Sequence, residues 1–189
     1  MSNIDEKKLI QDLHNPATKR HAFELMVGTY SQRLYWQIRR MVTFHDDADD
    51  VLQNTFLKAW SNIDKFRGDS KLSTWLFKIA YNESVTYLSQ QPDNISLDVS
   101  PNEENEEADN GIASRLESDN YFDGDKAELL LQQAIAILPA KQKAVFNMKY
   151  YEDMKYEEIA EITGTSIGAL KASYHLAAKK IEDYVKSKL

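Results

Sequence analysis

Apolar residues recur at every third or fourth position along most of the chain, and strict alternation is absent, so the pattern predicts helices and no sheet. Leu9, Ile10 and Leu13 mark one side of a short charged helix over 5–13, ended by Asn15-Pro16. Over 17–41, Phe23, Val27, Tyr30, Leu34, Ile38 and Met41 keep the spacing of a buried face, in one helix or two, with Arg33, Arg39 and Arg40 as polar punctuation. Residues 46–82 read as helix, loop, helix. Asp46, Asp47, Asp49 and Asp50 open the first, where carboxylates complement unpaired backbone N–H groups. Ala48, Leu52, Phe56 and Ala59 are predicted to face a core, with Asp50, Gln53, Asn54 and Leu57 on the other side. The loop NIDKFRGDSKL carries the breakers Gly68 and Ser70. Ser73 or Ser70 is expected to cap the next helix, whose apolar stripe is Trp75, Leu76, Ile79 and Ala80.

The period is lost over 91–125, which holds QPDN, SPNEENEEADNG and SDNYFDGD. Such composition predicts a disordered tether, with Ile95, Leu97, Ile112, Leu116, Tyr121 and Phe122 as its apolar exceptions. Order resumes near Lys126, with Leu130, Ala134, Ile137 and Leu138 on one helix. Pro139 suits the first turn of the next, where its missing N–H costs nothing, and Val145, Met148 and Lys149 continue it. The last stretch, YEEIAEITGTSIGALKASYHLAAKKIEDYVKSKL, predicts helix, tight turn at Gly164 and a longer helix capped by Thr165 or Ser166. Leu170, Tyr174, Ala177 and Ile181 fall on one face of that helix; Gly168, Lys171, Ala172, His175, Leu176 and Lys179 fall around the other. Lys155 stands where the shorter helix begins, so Asp153 is the expected cap there.

Charge sharpens this division. The formal net charge is −7, which argues against a nucleic-acid binder until it is divided along the chain. Residues 1–91 carry 12 basic and 11 acidic side chains, residues 92–128 carry 2 and 12, and residues 129–189 carry 9 and 7. The acidity sits in the middle segment, and both flanks are near neutral or slightly basic. There is no cysteine, hence no disulfide framework or thiolate metal site, which fits a reducing cytoplasm. The N-terminus is not a signal peptide, and no stretch approaches the length of a membrane span. His45 beside Asp46, Asp47, Asp49 and Asp50 raises a hard-metal site, but neighbouring helical residues point to different faces. His14, His21 and His175 have no ligand spacing, and no phosphate-cradling glycine loop or nucleophile motif occurs. No enzyme, cofactor or small-molecule substrate is expected.

Three pieces in register, D-D-V-L-Q-x-x-F-L-K-A-W, F-R-G-D-S and T-W-L-F-K-I-A-Y-N, resemble region 2 of the extracytoplasmic-function (ECF) sigma factors, the small specificity subunits of bacterial RNA polymerase. L-P-A-K-Q, Y-Y-E, Y-E-E-I-A-E and S-I-G-A-L-K resemble region 4 of the same family. The resemblance implies an all-α protein of two small helical domains, region 2 over 1–91 and region 4 over 126–189, joined by a flexible acidic linker over 92–125. It implies binding to core RNA polymerase and to promoter DNA, with an anti-sigma factor as a further partner. Asp50, Gln53, Asn54 and Leu57 would dock the polymerase. Phe66, Leu72 and Ile79 would wall a slot for a flipped base of the −10 element, with Asn82 and loop backbone on its pairing edge. Trp75 is either part of that site or ordinary core, and Arg67 and Lys71 would touch phosphates. Ser166, Gly168, Lys171, Ala172, His175 and Lys179 would bind the −35 element. Family members often carry arginines at the places of Ser173, Leu176 and Ala178, which implies fewer bidentate guanine contacts here. Two rival readings are a stand-alone helix-turn-helix regulator, which leaves 46–82 unexplained, and a polymerase-binding adaptor without promoter recognition.

Overall fold

A computed structural model describes residues 5–90 and 126–188, and the acidic connector expected over 92–125 lies outside the described residues. Among the described residues, eight α-helices follow in order: α1 (Glu6–His14), α2 (Lys19–Val42), α3 (His45–Asn62), α4 (Leu72–Gln90), α5 (Lys126–Ala136), α6 (Ala140–Tyr150), α7 (Tyr156–Thr163) and α8 (Ile167–Lys188). A single 3-10 turn, Ile63–Lys65, leaves α3.

Local chemistry starts and stops these helices. The Asp5 carboxylate accepts from the N–H groups of Lys7 and Lys8 and caps α1. The expected cap of α4 is corrected: Ser73 lies inside the helix, and the N–H of Leu72 donates to Glu6 Oε1 at 2.8 Å. One helix thus caps another across 66 residues of chain. Pro139 stands just before α6, as its N-cap. Asp153 does not cap α7; its carboxylate binds the Lys149 ammonium at 3.2 Å. Instead Glu158 reaches back to the Lys155 N–H at 3.1 Å, half of a capping box. Gly164 then turns the chain at φ +68°, a conformation only glycine takes without strain.

Helices α1 to α4 close one core. On α2 the buried face begins at Ala22 and Met26, one residue away from the predicted Phe23 and Val27. Phe23 instead meets Trp60 edge-on, with ring centroids 4.9 Å apart, which leaves it half-buried. Along α3, Ala48, Val51, Thr55 and Ala59 are buried. Thr55 is tolerated there because its hydroxyl donates to the Val51 carbonyl at 2.8 Å. A smaller cluster of Ala134, Ile135, Leu138, Phe146, Ala177 and Ile181 joins α5, α6 and α8.

The two sets of helices also pack on one another: α4 lies against α7, and α2 against α6. Leu72, Leu76 and Phe77 share one apolar cluster with Ile159 and Ile162. Polar side chains stitch the same junction. Glu152 accepts from Arg33 Nε at 2.7 Å and from Arg40 Nη1 at 3.5 Å, and the Arg40 guanidinium lies 4.0 Å from the centre of the Tyr151 ring. Asn147 donates to the Arg40 carbonyl at 3.0 Å. Lys143 is buried, and its ammonium donates to the carbonyls of Ala136 (2.8 Å) and Met41 (3.5 Å).

Burial brings the Lys143 pKa down from 10.5 to about 8. Between those values the unfolded chain holds a proton that the folded chain has released, so stability rises with pH across that window. Raising the pH from about 7 to about 9.5 is expected to stabilise the protein by about 2 kcal/mol relative to Lys143→Met over the same interval. Denaturant unfolding of both proteins at the two pH values checks this; parallel changes would contradict it.

Candidate nucleic-acid and polymerase surfaces

Three surfaces gather the residues singled out by sequence. The first is the outward side of α3. Asp50, Gln53, Asn54 and Leu57 stand at helical spacing i, i+3, i+4 and i+7, and all are exposed. Leu57 is 60% exposed, the most open of the large apolar side chains among the described residues. One turn on, Trp60 extends the same apolar edge at 41% exposure. Sequence reasoning passed over Trp60, although an aromatic three residues beyond an outward leucine was the available sign.

The second surface is a concavity of about 380 Å³ between the end of α3 and the middle of α4. Trp75, Ile79 and Asn82 line it together with Lys58, Lys65, Lys78 and Glu83. Trp75 is half-buried and leans on Phe66, ring centroids 5.0 Å apart, while its open side borders the concavity. Phe66 and Leu72 are corrected as slot walls: Phe66 is 6% exposed and supports Trp75 from behind, and Leu72 is fully buried. Leu72 opens α4, and its inward side chain completes the core beneath the loop. Arg67 lies on a different concavity, beside Ile10, His14 and Asp64. Lys71 is spent on the Glu158 carboxylate of α7 at 3.0 Å. The Lys71 ammonium, and after it the Lys155 N–H, holds the Glu158 carboxyl below its ordinary pKa. Of the seven residues expected at the −10 site, the structure therefore brings Trp75, Ile79 and Asn82 to one opening. The lysines that share it come from α3, the 3-10 turn and α4, and only the fold unites them. Lys58 forms an ion pair with Glu83, leaving Lys65 and Lys78 the better placed cations for a phosphate.

The third surface is α8. The Ser166 hydroxyl caps it, accepting from the Ala169 N–H at 3.4 Å. Leu170, Ala177 and Ile181 are buried, and Tyr174 stacks on Phe146 at 5.7 Å. That fixes the rotation of the helix. Gly168, Lys171, Ala172, His175 and Lys179 all face outward, and Leu176 stands among them at 49% exposure. Lys171 and Lys179 suit this face to phosphate contact, with Glu182 one turn beyond Lys179.

His45 is taken up by the Tyr35 hydroxyl at 2.7 Å and lies 3.5 Å from Asp49. Among the described residues, no three His, Cys, Asp or Glu side chains stand grouped as a metal would need. No described helix is long and apolar enough to cross a membrane.

Comparison with known proteins agrees with this layout. Residues 26–92 match Sigma-70 region 2, and residues 128–181 match Sigma-70, region 4. The ECF RNA polymerase sigma-E factor of Haemophilus influenzae is 29% identical over 167 residues, 87% of either chain. The protein of the same name from Escherichia coli is also 29% identical over 167 residues, covering 87% of this chain and 86% of its own. Among solved structures, CnrH in complex with the cytosolic domain of CnrY shares the fold at a TM-score of 0.69 and 21% identity, covering 97% of this chain and 99% of that one. The sigma factor RpoE of Bartonella quintana, solved with the anti-sigma factor NepR, shares it at 0.63 and 24% identity, covering 87% and 96%. Two matched regions in the right order, on a fold that builds each as a helical unit, lead to one conclusion: the chain belongs to the ECF group of the sigma-70 family of RNA polymerase sigma factors.

Proposed function

We propose that this sigma factor divides its work among the three surfaces. The outward side of α3, with Asp50, Gln53, Asn54 and Leu57, docks core RNA polymerase. The opening between α3 and α4 receives one unstacked base of the −10 element. Trp75 and Ile79 replace the lost stacking, Asn82 meets the pairing edge, and Lys65 and Lys78 take the flanking phosphates. The outward face of α8, from Ser166 to Lys179, enters the major groove at the −35 element. Residues 1–91 and 126–189 act as the two DNA-binding units, with the acidic stretch 92–125 between them. The chain works in the cytoplasm without a cofactor, and the chemistry of RNA synthesis stays with the polymerase. An anti-sigma polypeptide is its second partner, as RpoE of Bartonella quintana was solved with the anti-sigma factor NepR.

The observation that carries this reading is the concavity itself: an aromatic wall, the amides of Asn62 and Asn82, three lysines and Glu83 in one opening, on the chain that also presents α8. Asn82→Ala is expected to reduce opening of the −10 element about tenfold while leaving −35 binding intact, since a base held on its pairing edge loses that hydrogen bonding. Permanganate footprinting of the holoenzyme on supercoiled promoter reads the opening. Full opening with unchanged −10 preference in the variant would refute the slot.

A further inference from the structure

The outward face of α8 holds one large side chain that phosphate contact leaves without a task. Leu176 is 49% exposed, whereas the apolar side chains that build the core on this helix, Leu170, Ala177 and Ile181, are buried. It lies one turn beyond exposed Ala172, with His175 at its side and Lys171 and Lys179 flanking both. The position of Leu176 is not an accident of a frayed end, because Tyr174 and Ala177 on either side of it are packed. The lysines bring this apolar pair against a polyanion, so its occupant is a nucleic-acid groove.

A major groove presents donors and acceptors at every base pair but only one apolar group, the C5-methyl of thymine. Leucine cannot bond guanine O6 or N7, and it would strip water from them without return. We infer that Leu176, with Ala172 behind it, reads thymine methyl groups, so that the preferred −35 sequence carries thymine at one or two positions facing the middle turns of α8. This rests on the reading of α8 as the −35 helix. It makes Leu176 a specificity-determining contact and gives direct readout to a face that has few hydrogen-bonding side chains.

The test uses holoenzyme reconstituted from the full chain and purified core. A randomised −35 library first yields the preferred sequence. Each thymine in it is then replaced by uracil, which keeps the pairing edge and removes only the methyl group. At one or two positions uracil is expected to weaken binding about fourfold, the effect of exposing one buried methyl group. Leu176→Ala, an exposed position that leaves the core untouched, should reduce that penalty to less than about twofold. His175→Ala should leave the penalty in place. Uracil tolerated at every position, or a penalty that persists in Leu176→Ala, overturns the inference while the −35 reading stands. A library that yields no preferred sequence takes down both.

Discussion

Glu152→Lys is expected to part the two helical units. Glu152 sits between Arg33 and Arg40, and its side chain is only 11% exposed. Burial pushes the Arg40 pKa down, with the charges of Tyr151 and Glu152 pulling against it, so this guanidinium already bears a desolvation cost. Removing its carboxylate takes away the ion pair that offsets part of this cost, and a lysine adds a like charge. Arg33 is half exposed, so the loss falls between the surface and buried regimes, about 2–4 kcal/mol. The remaining ties at the junction are the Lys71–Glu158 pair, the Asn147 bond to Arg40, the Lys143 bond to the Met41 carbonyl, and the packing of α4 on α7 and of α2 on α6. Small-angle scattering should show a larger radius of gyration for Glu152→Lys, and Glu152→Gln should fall between it and the parent. Superimposable scattering curves would mean that these remaining ties hold the junction without Glu152.

The second large effect concerns the polymerase. Gln53→Ala together with Leu57→Ala should weaken binding to core by about 2–4 kcal/mol, the range for truncating a central interface cluster. The argument is geometric. Both side chains are exposed on the side of α3 opposite Ala48, Val51, Thr55 and Ala59, so their removal leaves the core packing untouched. The thermal unfolding midpoint should therefore hold while affinity falls, which separates lost docking from lost folding. Competition against the unaltered chain for a limiting amount of core measures it. Equal competition by the double variant would move the docking surface elsewhere.

Much of this was legible in the chain before the fold. The three-and-four spacing placed Leu170, Ala177 and Ile181 inward and Lys171, His175 and Lys179 outward, and the structure keeps both sets. The same held for Asp50, Gln53, Asn54 and Leu57 on α3. Periodicity says which side of a helix is apolar; it does not say what that side meets. Nothing in the periodicity therefore singles out Lys143, Asn147 or Glu152, yet they lie at the junction, where carbonyls of α2 and α5 accept from Lys143 and Asn147 and two arginines donate to Glu152. Glu6 caps α4 because the fold brings α1 to its end, and no local rule points there. Phe66 and Leu72 were misread for a related reason. A loop beside a binding site has apolar residues both in its floor and in its wall, and the letters do not separate the two.

The central claim, that this chain makes core polymerase promoter-specific, is tested most directly by run-off transcription from a promoter chosen by transcription start mapping. Core polymerase alone, the purified chain alone and the two together are compared on that template. A transcript of one defined length is predicted only when both are present, and it should vanish when the −10 element is scrambled. A chain that binds the promoter without core, and leaves the output of core unchanged, would contradict the account and identify a DNA-binding regulator that works without docking on the polymerase.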